Sequence, residues 1–322
     1  MTHPLGYPLT QWAKDHHLPA TESASVVADD SGTVYEMNDQ YLEVCDGRNA
    51  NRGIIALVST VLGGAAIAFT GMWLWMMMHI PHIYVERGQV KQAIVMVVLF
   101  AIVGAAFLGL MVVQFCKDCF SYTRYPIRLD RVKRMVYVFK KNGPNGTLRV
   151  PWGDVFFFID GKLGGAGNYG IQYAIRGNVL DEGGRVVDTF TIGKWVSHLN
   201  EDEKFDRVML GDLLSIFEFY RRYMEVGIGA LPQVKIYIRT ETSFKNSLLY
   251  AFRWVADWKD ETSGFFRVLF ALLLLLGAIP CFALSAFHFL AMTTSREPVW
   301  PEDVERAASL PQKQREGVTS MT

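Results

Sequence analysis

Three apolar runs, at 54–78, 93–115 and 265–292, constrain this chain more than any other feature of its 322 residues. The first two contain no charged residue, and the third contains only Arg267, near its start. About 20 apolar residues in a helix cross a hydrocarbon layer of roughly 30 Å. Each run is long enough to do so and too long for an ordinary core helix. An integral membrane protein is expected.

The averages hide this pattern. Half of the residues are hydrophobic, a fifth are charged and the formal net charge is zero, values that would suit a soluble globular chain. Balanced charge gives no reason to expect nucleic acid as a partner. Residues 1–53 are polar, with no basic stretch leading into a short apolar one. A cleavable signal peptide is therefore not expected, and the first run reads as an uncleaved anchor. The cysteines Cys45, Cys116, Cys119 and Cys281 do not form a disulfide framework of the secreted type. Cys116 and Cys119 have C-x-x-C spacing, but two thiolates do not complete a tetrahedral zinc site, so they read as juxtamembrane thiols in a reducing compartment.

Positive residues near span ends mark the cytoplasmic side. Lys117, Arg124, Arg128, Arg131, Lys133 and Arg134 follow the second run, whereas loop 79–92 carries only Arg87 and Lys91 against Glu86. The reading puts the N-terminus and residues 116–264 inside and the loop outside. If 265–292 crosses once, the tail lies outside. Gly277 and Pro280 interrupt that run, so a re-entrant hairpin returning the tail inside is the alternative; a single crossing is the expectation, because the two halves are too short for two crossings. Ala56, Thr60, Gly64 and Ala68 recur every four residues, as do Ala101, Ala105 and Gly109. Small residues at this spacing let helix backbones approach closely. An intramolecular hairpin is the expected use, with a homodimer through the same stripes as the other. Trp73, Trp75 and Tyr84 suit the outer interface. His79 and His82 lie there too, with few further ligands near them for a metal.

Past Tyr125 the pattern becomes short β-branched and aromatic runs at 127–129, 134–139, 147–152, 155–159, 171–175 and 186–192, which read as strands. Gly and Asn residues at 142–146 and 181–184 supply tight turns. A broad apolar stripe from Phe205 to Tyr223 then reads as an amphipathic helix, capped by Asn200 or Ser197 and ended by Gly227, Gly229 and Pro232. Trp152 is expected in the core between sheet and helix, with Tyr137, Phe139 and Phe217 as neighbours. Six antiparallel strands and a closing helix resemble a pleckstrin-homology-like domain. Residues 243–258 form a second amphipathic segment, expected in the cytoplasmic interface plane.

The expected fold class is thus an α+β membrane protein: a transmembrane hairpin, a cytoplasmic antiparallel β domain of pleckstrin-homology-like type with its helix, and a third transmembrane helix. The segments are 1–53 polar, 54–115 hairpin, 116–232 β domain, 233–264 connector, 265–292 third span and 293–322 polar tail.

Chemistry is hard to find in this sequence. Gly165, Gly167 and Gly170 fit G-x-G-x-x-G, but a strand follows them where a dinucleotide site needs a helix. The accessory kinase motifs are missing as well. Asp154 and Asp160 flank one strand. His288 is polar at membrane depth, where ionisable groups invite a functional hypothesis, but no Asp or Glu in another span accompanies it. No catalytic, cofactor-binding or metal-binding residue is expected.

Three stretches carry a resemblance: 126–139 with 150–155, 217–225 with Leu231 and Pro232, and 292–295 with 298–304. They resemble a family of uncharacterised bacterial inner-membrane proteins often encoded beside type VI secretion genes. The resemblance implies a setting in interbacterial antagonism and brings no catalytic residues. The expected function is that of a non-enzymatic inner-membrane protein, an immunity or accessory protein that binds a toxin or secretion component. Membrane lipids are its other partner. A membrane-bound enzyme or lipid-interacting protein is the alternative.

Overall fold

The computed structural model describes residues 5–47, 52–80, 82–163, 171–197, 203–234, 236–252 and 264–309. They fall into two compact units. One joins Met1–Ala50, Arg124–Thr240 and Glu297–Thr322; the other joins Asn51–Thr123 and Glu241–Arg296.

The first unit is an α+β body with two antiparallel sheets. One holds β2 (Val34–Met37), β3 (Tyr41–Val44), β4 (Ile127–Asp130), β5 (Met135–Phe139) and β6 (Thr147–Pro151) in that order. The other runs β1 (His17–Leu18), β7 (Val155–Leu163), β8 (Ile171–Leu180) and β9 (Val186–Ser197). The six expected strands are all present, but they divide between two sheets and do not form one continuous meander. The difference arises at Trp152–Asp154, a single 3-10 turn that redirects the chain between β6 and β7. The polar segment before residue 53 supplies β1 to β3, together with α1 (Gln11–Asp15), whose Trp12 indole donates to the Ile159 carbonyl at 2.9 Å. β3 and β4 are paired neighbours, with Val44 opposite Ile127 and Tyr41 opposite Asp130. The first two apolar runs are therefore inserted into a single strand-to-strand connection.

Helix α5 (Glu203–Glu225) follows β9. Ser197 ends that strand and does not cap the helix; Asn200 and the Gly165–Gly170 motif lie outside the described residues. From α5, Leu213, Ile216, Phe217, Tyr220 and Tyr223 enter a core shared with Val136, Val138, Trp152, Phe157 and Ile175. Trp152 is fully buried, near Phe157 (4.8 Å between ring centroids) and Phe217 (6.3 Å). The expectation that Tyr137 and Phe139 join it is wrong. Strand residues alternate faces, and it is Val136 and Val138 that point inward. Phe139 lies edge-on to Trp300, 5.9 Å away.

The second unit contains three helices long and apolar enough to cross a membrane: α2 (Ile54–Met78), α4 (Val90–Cys119) and, over Gly277–Thr294, the helix α7. A short helix α3 (His82–Glu86) joins the first two. α2 and α4 pair as expected, but through a different stripe. Ala56, Ser59, Gly63 and Ala66 are the buried positions of α2. Gly104 of α4 approaches so closely that an added Cβ would come within 2.1 Å of the Thr70 hydroxyl. Gly64 and Gly109 have no neighbour within 4 Å of such a Cβ. Small residues occur on both faces, so the four-residue spacing does not by itself select the packed one.

α7 (Gly264–Thr294) runs unbroken through Gly277 and Pro280. Helix α6 (Phe244–Ala251) packs along its C-terminal turns, with Phe244 on Phe289 and Phe252 on Phe282. These pairs run antiparallel, so the segment lies alongside α7 and not across it.

The tail corrects the topology. Arg124 pairs with Glu297 at 2.8 Å and Arg149 with Asp303 at 2.6 Å. A last helix, α8 (Glu302–Ser309), carries Glu305 to within 3.0 Å of Arg128. A segment bonded to the β unit lies on the same side of a membrane as that unit. The expected placement of the tail on the side opposite the β unit does not fit these contacts.

Candidate functional site

Three polar clusters, one in the helical unit and two in the β unit, gather titratable side chains that are scattered along the sequence. In the helical unit, Asp118 sits in the last turn of α4, 6% exposed. An acidic residue is unfavourable at a helix C-terminus, where the carbonyls already concentrate negative charge. Here it serves another helix. Its Oδ2 accepts from the backbone N–H groups of Gly53 (3.0 Å) and Ala56 (2.9 Å), at the start of α2. Those are the donors a helix leaves without intrahelical partners. Arg52 stands 3.6 Å from the other carboxylate oxygen and donates to the Asp118 carbonyl (2.7 Å) and to Ser295 (3.3 Å). Gly53 has φ +77, and an added Cβ would come within 2.5 Å of the His288 Cα. Both the left-handed backbone and the close approach call for glycine.

His288 is 9% exposed. Its Nδ1 is 2.9 Å from the Ser247 hydroxyl, and its ring stacks on Tyr250 at 4.2 Å. That separation suits a nucleophile and its base. The surroundings do not. Ser247 is 1% exposed, and its hydroxyl donates to the Ser243 carbonyl one turn earlier. The Ser247 hydroxyl is thus shared between the imidazole and a backbone carbonyl of its own helix, in a site closed to substrate. Among the described residues no carboxylate hydrogen-bonds this ring. The pair clamps α6 to α7.

In the β unit the centre is Arg128, 4% exposed. Its Nε and Nη2 donate to Glu43 at 3.2 and 3.1 Å, and its Nη1 donates to Glu305 at 3.0 Å. The guanidinium lies 4.2 Å from the Tyr41 ring centroid and 4.9 Å from that of Trp300. The Trp300 indole donates to the same Glu43 oxygen at 3.0 Å. Guanidinium planes stack favourably on aromatic faces, and a buried charge tolerates burial only when it is paired and hydrogen-bonded. The cage therefore latches the tail onto the sheet. Burial and the Glu36 hydrogen bond raise the Tyr41 phenol above its ordinary pKa.

A third group ties the N-terminal segment to α5. Glu218, fully buried, accepts from Arg221, Arg222, the Ser23 hydroxyl and the Ala24 N–H. Burial by itself would raise this carboxyl, but the hydrogen bonds from Arg221, Arg222 and Ala24 outweigh it and hold the pKa down at about 2.

The remaining residues singled out by sequence do not converge. Cys119 is buried and Cys116 exposed. His79 rests on the Trp75 carbonyl at 3.2 Å. Asp160 pairs with Arg176 at 2.8 Å inside the second sheet, and Asp154 ends the 3-10 turn. Among the described residues no group of three or more His, Cys, Asp or Glu side chains is placed to hold a metal. Of the cluster residues that sequence reasoning missed, Asp118 left a signal, an acid at the wrong helix end. Glu43 and Trp300 left none, being 85 and 257 positions from Arg128 and Glu43 respectively.

A family model covers most of this architecture. It bears the label DUF6708, a family of unknown function, and matches residues 104–310. No curated protein and no solved structure matches the chain.

Proposed function

We propose a function from the residues themselves, because the chain belongs to DUF6708, a family of unknown function, and that membership brings no activity with it. The protein is a membrane-anchored interaction protein that works by binding another protein and not by turnover. One observation carries this reading. The buried acids, bases and hydroxyls of the three clusters are engaged in holding segments together, and the Ser247–His288 pair is buried and closed to substrate.

The β unit is a pleckstrin-homology-like barrel. Its support is the order of elements: β3 to β6, then β7 to β9, then a helix covering the core. The fold is interrupted between β3 and β4 by the membrane hairpin. In this reading the host is bacterial, the membrane is the inner one and the β unit is cytoplasmic, as the basic run from Lys117 to Arg134 favours. The resemblance described above supplies the setting, interbacterial toxin delivery, with the protein as an immunity or accessory factor.

Two measurements test it. Cysteines placed at Asn145, Glu86 and Glu302 are labelled on intact cells with an impermeant reagent. Glu86→Cys is expected to react, while Asn145→Cys and Glu302→Cys are both protected. Reaction at Asn145 overturns the orientation. The gene is then deleted in a strain that keeps the neighbouring effector, and the strain is challenged by attackers with and without that effector. Selective killing by the effector-producing attacker, reversed by complementation, is the expected result. Equal survival with intact secretion overturns both the immunity and the accessory version.

A further inference from the structure

Where α2, α3 and α4 meet at the loop end of the hairpin, the surface folds inward into a recess of about 350 Å³. Trp73, Met76, Met77, Tyr84, Gln92 and Met96 are among the residues lining it. Its depth in a bilayer follows from helix geometry. At 1.5 Å per residue, Trp73 lies about 28 Å along α2 from Ile54, close to the roughly 30 Å hydrocarbon thickness. The recess thus begins in the acyl region and opens at the headgroup level.

Three observations point to its occupant. The first is the indole of Trp73. Its ring stacks on Phe100, with centroids 4.4 Å apart, and its N–H is shielded and has no hydrogen-bond partner. A buried donor left unpaired is unfavourable, and at this depth the acceptors a bilayer offers are ester carbonyls. The second is the wall. Methionines adapt to irregular, mobile apolar shapes, and Gln92 and Tyr84 add polar groups towards the opening. The third is charge. Arg87 and Lys91 are exposed and lie within two positions in the chain of Gln89 and Gln92, which line the recess, with only Glu86 against them in the connection, and neither forms an ion pair among the described residues.

We infer that this recess binds one acyl chain of an anionic phospholipid, whose ester carbonyl takes the Trp73 N–H after a small shift of the ring and whose phosphate lies by Arg87 and Lys91. This site does not depend on the protein-binding function proposed above. A hydrophobic side chain from a protein partner is the competing occupant, but it would bring no acceptor of its own to the indole and no phosphate to the two cations.

The test uses the full chain in nanodiscs of equimolar phosphatidylglycerol and phosphatidylethanolamine, released into mild detergent and weighed by native mass spectrometry. The expected result is one retained phosphatidylglycerol per chain, about five-fold favoured over phosphatidylethanolamine. Trp73→Phe keeps the stacked ring and removes only the N–H, and is expected to lower retention several-fold. Arg87→Gln with Lys91→Gln is expected to leave a lipid bound and erase the headgroup preference. Circular dichroism establishes that each variant keeps its helices, and the loop pair carries the test if Trp73→Phe does not. Equal retention of both lipids by the wild type, or no retained lipid, overturns the proposal and leaves the protein occupant. So does undiminished retention by a folded Trp73→Phe.

Discussion

The two units use their apolar residues in opposite ways. In the β unit the largest side chains are the most hidden: Trp152, Phe157, Phe217, Phe219, Tyr220 and Tyr223 have no exposed surface. In the helical unit the buried apolar cluster is Ala56, Cys119 and Ala291, flanked by Phe115 and Phe287. Its large residues face outward, Val61, Ile67, Trp75 and Ile102 among them. The most apolar windows of its three long helices bury only 22%, 11% and 17% of themselves. Water drives the first arrangement. Lipid removes that drive from the second, and what remains inside is what packs closely or needs a polar partner: Gly53, Gly104, Ser59, Asp118 and His288. Apolar size should therefore govern stability in one unit and backbone proximity in the other.

The largest expected effect tests the first half of this contrast. Truncating a buried Trp to Ala typically costs about 3–5 kcal/mol, a large share of the stability of a single domain. Trp152→Ala should lower the stability of the β unit by that amount in denaturant unfolding of the full chain in detergent. Trp75→Ala, at a position 58% exposed on α2, should change it by less than about 0.5 kcal/mol. Equal effects from the two would break the comparison. The measurement needs the full chain, because the β unit draws strands from residues 17–44 and its latch from 297–305.

That requirement marks where the sequence stopped being readable. The long runs, the six later strands and the α5 stripe were legible because each carries its period within its own residues. β1 to β3 are two to four residues long, too short to show a period. β2 and β3 pair with each other, but the other partners of β1 and β3, Phe157, Phe158 and residues 127–130, are distant in the chain. The facing of β5 was misread because both of its faces are covered, one by α5 and the other by Trp300, so hydrophobicity alone could not rank Val136 against Tyr137. The side of the tail was lost for the same kind of reason: the Arg128 cage joins three distant segments, and none of its members is unusual locally.

An intermediate effect concerns charge inside the β unit. Glu218 is held at about pKa 2, against an ordinary 4.5. A carboxyl depressed on folding adds stability above its unfolded value and loses it as pH falls towards its folded one. The stability difference between wild type and Glu218→Gln should thus be full above pH 4.5 and shrink steadily towards pH 2. Thermal unfolding across that range measures it. A difference that does not vary with pH would show that the two arginines and the Ala24 N–H do not depend on the carboxylate charge.

The smallest effect tests the helical unit. Two of its glycines, Gly104 and Gly64, look alike in sequence, each in an apolar helix among small residues. At Gly104 a methyl group would come within 2.1 Å of the Thr70 hydroxyl and 3.4 Å of its Cβ; at Gly64 it would meet nothing within 4 Å. The Thr70 hydroxyl sits on a rotatable side chain, so part of the clash is relieved by rotation and the rest by separating α2 from α4. Overpacking of this kind costs about 1–3 kcal/mol. Gly64→Ala faces no such contact, and replacing a mid-helix glycine by alanine favours the helix by about 1 kcal/mol. The two substitutions should therefore act in opposite directions on the unfolding of the hairpin, followed by steric trapping or by denaturant titration in detergent. If Gly64→Ala destabilised the hairpin and Gly104→Ala did not, the packed stripe would be the one with four-residue spacing through Gly64, and the close approach at Thr70 would not be what holds the helices together.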